Sequence, residues 1–174
     1  MRALIGGLLS LVLSVVLVGV LGAPASAACS TAWGSQDKGT LHDHADGPLE
    51  RVRTGRQDCY DRLVIEVAGS GFGYLAGYVD EVVQEGSGNP VPLRGGAKLR
   101  LIVQAAAASG FPASSPELAN VGGYTTFRQV AGAGSFEGQT TIGVGVRARL
   151  PFRVLTLPRA GGGTRLIVDV AHTW

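Results

Sequence analysis

The chain has 174 residues with 15 basic and 13 acidic side chains, a formal net charge of +2, and a hydrophobic fraction of 45%. That length suits one domain with a sizeable core. Charges scattered along a nearly neutral chain give no reason to expect a nucleic acid or an anionic membrane as partner.

Arg2, the apolar run from Ala3 to Leu21 and the small-residue exit Ala25-Ser26-Ala27 have the layout of an export signal. Residues 1–27 are therefore expected to be removed, leaving a mature chain that starts at Ala28. The alternative is an uncleaved anchor, since about 19 apolar residues just span a bilayer; Pro24 and the Ala/Ser exit suit a peptidase better. Cys29 and Cys59 survive this cleavage. In an oxidising compartment an even pair reads as a disulfide, and closing a loop of about 31 residues would stabilise the fold by roughly 3–4 kcal/mol. The competing reading is a lipoprotein with Cys29 lipidated as its first residue. Against it, Ser26 stands where a lipobox prefers leucine, and Cys59 would be left unpaired.

Residues 28–48 are polar, turn-rich and aperiodic, which predicts a flexible N-terminal arm with one short strand at most, and Trp33 is its one large side chain able to dock. His42, His44 and Asp46, with the distant His172, are metal ligands by type, but their loose spacing reads as solvated loop. No metal or other cofactor is expected.

From Leu49 onward the period is that of β-structure. Strands are predicted over 49–56, 61–67, 74–83, 99–103, 124–130, 136–146, 152–157 and 165–171, with a long Ala/Ser/Pro loop over 105–119. Glycine-rich breaks at 131–134 and 161–163 read as turns. The phrase Arg62-Leu-Val-Ile-Glu-Val67 returns as Arg100-Leu-Ile-Val-Gln-Ala105 and as Arg165-Leu-Ile-Val-Asp-Val170. Alternation sends Leu63, Ile65 and Val67, then Leu99, Leu101 and Val103, then Leu166, Val168 and Val170 to one face. The arginines and the Glu, Gln or Asp go to the other. Val64, Ile102 and Ile167 lie between those polar residues, as an outer apolar stripe that a loop covers or a partner meets. The expected fold is all-β, a two-sheet β-sandwich of about eight strands over residues 49–172.

The order CSTAWGSQDKG, Gly55-Arg-Gln-Asp-Cys-Tyr-Asp-Arg-Leu-Val-Ile-Glu-Val67, Gly77-Tyr-Val-Asp80, Ser135-Phe-Glu-Gly138, Pro151-Phe-Arg-Val154 and Arg165-Leu-Ile-Val-Asp-Val170 resembles the AMIN-like domain of secreted bacterial proteins. That family is related to the AMIN domain found beside N-acetylmuramoyl-L-alanine amidases and in secretins. The likeness runs from about Trp33 to His172. It implies a sandwich of two β-sheets and, as in several AMIN domains, attachment to the cell envelope through peptidoglycan. The family's Asp-Arg strand motif falls on Asp61 and Arg62, its closing arginine and acid on Arg165 and Asp169, and its paired cysteines on Cys29 and Cys59. Gln57 stands where the family often has histidine, so no ionisable ring acts there.

No catalytic constellation emerges. The glycines after Val67 place Tyr74 where a dinucleotide fingerprint needs its third glycine. There is no Gly-x-Ser-x-Gly elbow, and the neighbours Asp80 and Glu81 face opposite sides of a strand, unlike a glycosidase pair. A non-enzymatic role is expected. For Asp61, Arg62, Arg165 and Asp169 two readings stand. They form cross-strand ion pairs on a polar sheet face, or the arginines hold carboxylates of a wall polymer while Tyr60, Tyr78 or Trp33 stack on its sugars. The expectation is a secreted or envelope-associated protein that binds peptidoglycan, free of the membrane unless lipidated at Cys29. The alternative is a module that docks on an envelope protein or enzyme through a sheet edge or the apolar stripe.

Overall fold

A computed structural model describes residues 29–40 and 43–174. The expected signal segment, its cleavage site and His42 lie outside the described residues. Among the described residues, nine strands form two antiparallel sheets. They are β1 (Lys38–Thr40), β2 (Leu49–Arg56), β3 (Tyr60–Val67), β4 (Tyr74–Val79), β5 (Ala97–Val103), β6 (Phe127–Phe136), β7 (Gln139–Val146), β8 (Phe152–Pro158) and β9 (Thr164–Ala171). The five-stranded sheet runs β1-β4-β5-β7-β6 and the four-stranded sheet β2-β3-β9-β8.

The thrice-written phrase builds the facing layers. Leu63, Ile65 and Val67 of β3 and Leu166, Val168 and Val170 of β9 meet Leu99, Leu101 and Val103 of β5 in one core with Phe127, Ile142 and Phe152. All of these are at most 1% exposed. Burying one leucine of this kind contributes about 1.5–3 kcal/mol.

Two predicted boundaries shift for identifiable reasons. The break expected at 131–134 is no turn: β6 runs through it to Phe136, with Gly134 at φ +101° inside a register shift between Gly132 and Ser135. The hairpin turn falls instead on Glu137 and Gly138, both at positive φ, as the right-handed twist of a two-residue hairpin loop favours. β4 ends at Val79 rather than Val83. Val82 and Val91 cross to the outer face of the five-stranded sheet and pack there on Ala131 and Ala133 as a second small core. Gly145 lets this loop lie flat, because a Cβ there would sit 1.9 Å from the carbonyl oxygen of Arg94.

The long loop after β5 is strand-free as expected and seals the open side of the sandwich. It runs along the edge of β6, where Leu118 N–H donates to Val130 O, Gly132 N–H to Ser115 O and Gly134 N–H to Ala113 O. The segment between β4 and β5 covers the β7 part of the outer face of the five-stranded sheet, at Gly143 and Gly145, while part of the N-terminal arm lies on the outer face of the four-stranded sheet. That arm supplies β1, the predicted single short strand, and Trp33. It is tied down by the Cys29–Cys59 disulfide and by Phe152 N–H donating to Gly34 O.

Candidate functional site

Alternation and register place one row of side chains across the outer face of the four-stranded sheet. Gly55 of β2 lies opposite Arg62 of β3, Arg62 opposite Asp169 of β9, and Asp169 opposite Arg153 of β8. The arginines close over the acid. Arg62 donates from Nε to Asp169 Oδ1 at 2.6 Å and from Nη2 to Oδ2 at 2.9 Å, a bidentate pair. Arg153 Nε donates to Oδ2 at 2.8 Å. Asp169 is 0% exposed although it points away from the core. Such charge-assisted bonds are what makes a buried carboxylate tolerable.

Two aromatic rings complete the cover. The arm sets Trp33 edge-on to Tyr60 at a centroid distance of 5.6 Å. The Arg153 guanidinium lies 4.4 Å from the Trp33 ring and 5.3 Å from that of Tyr60, and Arg62 lies 5.2 Å from Tyr60. These are cation–π distances. Tyr60 Oη also accepts from Arg62 Nη2 at 3.2 Å. The hydrogen bonds to Asp169, above all, push the already high Arg62 pKa further up. Two guanidinium groups over one carboxylate leave a local surplus of positive charge. Among the described residues, Arg62 Nη1 and both Nη atoms of Arg153 have no hydrogen-bond partner, and both arginine side chains are about a third exposed. The cluster can therefore accept a carboxylate or phosphate edge-on, with an aromatic ring beside it.

Of the residues singled out in the sequence, the fold gathers Trp33, Tyr60, Arg62 and Asp169. It separates the rest. Asp61 faces inward, 0% exposed, and accepts from the backbone N–H of Thr126 at 2.5 Å and of Phe127 at 2.9 Å, with His172 Nε2 at 3.1 Å. Arg165 stands two rows along the same outer face as Asp169, opposite Glu66 and Leu157, and donates to Pro158 O. Tyr78 belongs to the other sheet, where its hydroxyl donates to Leu150 O at 2.8 Å and accepts from Leu150 N–H at 3.1 Å. Burial, more than any other effect, raises its pKa. Tyr78 is a structural clamp: Tyr78→Phe leaves both polar groups of Leu150 without it and is expected to lower stability by about 1–3 kcal/mol in urea unfolding, with no change at the arginine cluster.

Arg153 was absent from the sequence-derived candidates. Its signal was the Pro-Phe-Arg-Val motif together with the alternation of β8, but only the register against β9 brings it to Asp169. The apolar stripe is real: Val64 lies beside Ile167, and Ile167 beside Leu155. Ile167 is buried at 4%, while Leu155 and Leu157 are exposed at 37% and 44%. Ile102 lies on the other sheet, paired with Leu75 and Thr141.

His44 and Asp46 do not gather with His172; among the described residues no group of three or more His, Cys, Asp or Glu side chains is placed to hold a metal. A cleft of about 760 Å³ is lined by Arg94, Glu117, Tyr124 and Arg128. Its cations are already engaged, Arg94 with Glu117 at 2.6 Å and Arg128 with the carbonyl oxygens of Tyr124, Thr125 and Phe127. The arginine–aromatic cluster is therefore the better site.

A family model, described as the AMIN-like domain, matches residues 47–172. No curated protein and no solved structure matches the chain.

Proposed function

Because this chain belongs to the AMIN-like domain family, we propose that it is an exported, non-catalytic module that associates with the cell envelope by holding peptidoglycan at the cluster over Asp169. The observation that carries this reading is the unengaged donor set of Arg62 and Arg153, framed by Trp33 and Tyr60. The stem peptides of a wall polymer offer carboxylates that match a guanidinium fork, and the rings beside it offer apolar faces to sugars. The chain is secreted in this reading, with residues 1–27 removed. Cys29 bonds to Cys59, so its sulfur is occupied and lipid attachment is not required.

Co-sedimentation of the purified protein with insoluble peptidoglycan at low salt tests the proposal. The protein should pellet with the polymer, and Arg153→Gln and Trp33→Ala should each weaken the apparent affinity by about tenfold, the loss of one charge-assisted contact or one ring contact. A protein that stays in the supernatant removes the proposal's support. Release of soluble muropeptides that a single polar substitution abolishes would point to an enzyme instead.

A further inference from the structure

Four strands border the two sheets, and three of the four edges are closed, guarded or very short. The loop after β5 hydrogen-bonds along β6. The β2 edge carries Glu50, Arg51, Arg53 and Arg56, and its start is joined to the chain at Ala106 and Ala108. β1 has three residues. β8 differs from all of these. Its pairing with β9 is regular and free of bulges, and its middle reads Val154-Leu-Thr-Leu157, without a charge. Natural sheets rarely leave such an edge open, because it invites another strand.

The hydrogen-bond phase of β8 follows from its ends. Ala171 N–H donates to Pro151 O, and Arg159 N–H donates to Gly163 O, so the odd-numbered residues between them turn their backbone groups toward β9. The even-numbered residues face away. Phe152 N–H is taken by Gly34 O of the arm, and Pro158 has no N–H and gives its oxygen to Arg165. The N–H and C=O groups of Val154 and Thr156 are left without hydrogen-bond partners among the described residues. At the Thr156 end a cleft of about 470 Å³ opens, lined by Phe72, Tyr74, Thr156, Leu157 and Pro158. At the other end the Lys38 Nζ stands 4.1 Å from the Phe152 ring centre.

We propose that β8 receives an extended peptide of another protein by antiparallel strand addition. The peptide pairs with Val154 and Thr156, seats an apolar side chain opposite Thr156 in the Phe72–Tyr74 cleft, and turns an acidic side chain opposite Val154 toward Lys38. Residues opposite one another share a face, and Val154 and Thr156 point to the inter-sheet side on which the cleft and Lys38 lie. An antiparallel peptide therefore reads apolar-x-acidic from its N-terminus. The surface adjoins the wall-binding cluster, because Arg153 lies on β8 beside Val154, but the proposed pairing uses the backbone of Val154 and Thr156 and the inter-sheet side, whereas the Arg153 side chain points to the outer face with Asp169.

The test uses a fluorescein-labelled peptide, Ser-Thr-Leu-Thr-Asp-Thr-Ser, titrated with the purified protein in an anisotropy assay, with amide NMR shifts mapped on the backbone. The peptide should bind, protect the Val154 and Thr156 amides, and leave β2 unmoved. Thr156→Pro removes a free-edge N–H that does not enter the β9 ladder and should weaken binding at least about tenfold. N-methylation of the peptide leucine, which leaves the protein untouched, should do the same. Absence of binding, equal binding of the N-methylated peptide, or shifts confined to β2 would each overturn the proposal. So would a dimer of the free protein that Thr156→Pro dissolves, since the occupant would then be a second copy.

Discussion

Asp61→Ala should lower the stability of the domain by about 3–5 kcal/mol, the largest loss expected from any single polar side chain on β3. Asp61 is 0% exposed, and its Oδ2 takes the backbone N–H groups of Thr126 and Phe127. Those groups open β6, in the opposite sheet, so the carboxylate holds the two layers together at the point where the long loop re-enters the sandwich. Thr126 extends the tie, its hydroxyl donating to Ala171 O and its carbonyl accepting from Arg147 N–H. Alanine leaves two buried donors unsatisfied at about 1–3 kcal/mol each and abandons the His172 contact as well. Asp61→Asn keeps one acceptor oxygen and should lose about half as much. Urea unfolding reads the difference: with a slope of about 1–3 kcal/mol per molar, the alanine variant's midpoint should fall by about 2 M. An unchanged midpoint with weakened wall binding would make Asp61 a ligand group instead.

The contrast between Asp61 and Arg62 shows what the sequence carried. Alternation from Leu63, Ile65 and Val67 already sends residue 61 inward and residue 62 outward, so the buried acid was legible from parity; its charge argued for the surface, and the backbone donors that outweigh that charge come from 65 residues away. Tyr78 repeats the case, since Ala76 fixes its inward phase. The core itself was readable because a strand's face depends only on local period. Which residues meet across strands was not, because it depends on register. Arg62 and Asp169 are separated by 107 residues, and Arg153 joins them only through the pairing of β8 with β9. The glycines of β6 misled for a related reason: positive φ serves a bulge at Gly134 as well as a turn, and only the partner strand decides between them.

Asp169→Asn should separate stability from binding at the outer cluster. The carboxylate is 0% exposed and accepts three hydrogen bonds from Arg62 and Arg153. Asparagine keeps the shape but offers one acceptor, turns an NH₂ group toward guanidinium donors and leaves two cations facing each other without a counter-charge. Removing one partner of a buried ion pair costs about 3–5 kcal/mol. Here the arginines are about a third exposed and can turn to water, so about 2–3 kcal/mol is expected. For a domain of this size that corresponds to a melting temperature lower by roughly 6–10 °C. Binding should move the other way. With Asp169 neutral, the donors now committed to it become available, and the local surplus rises by one positive charge. If Arg62 and Arg153 hold carboxylates of the wall polymer, the still-folded variant at low temperature should bind peptidoglycan more tightly than the parent, with a steeper loss on adding salt. A cluster that serves only to pair strands would show the fall in melting temperature with no gain in binding and no change in salt dependence.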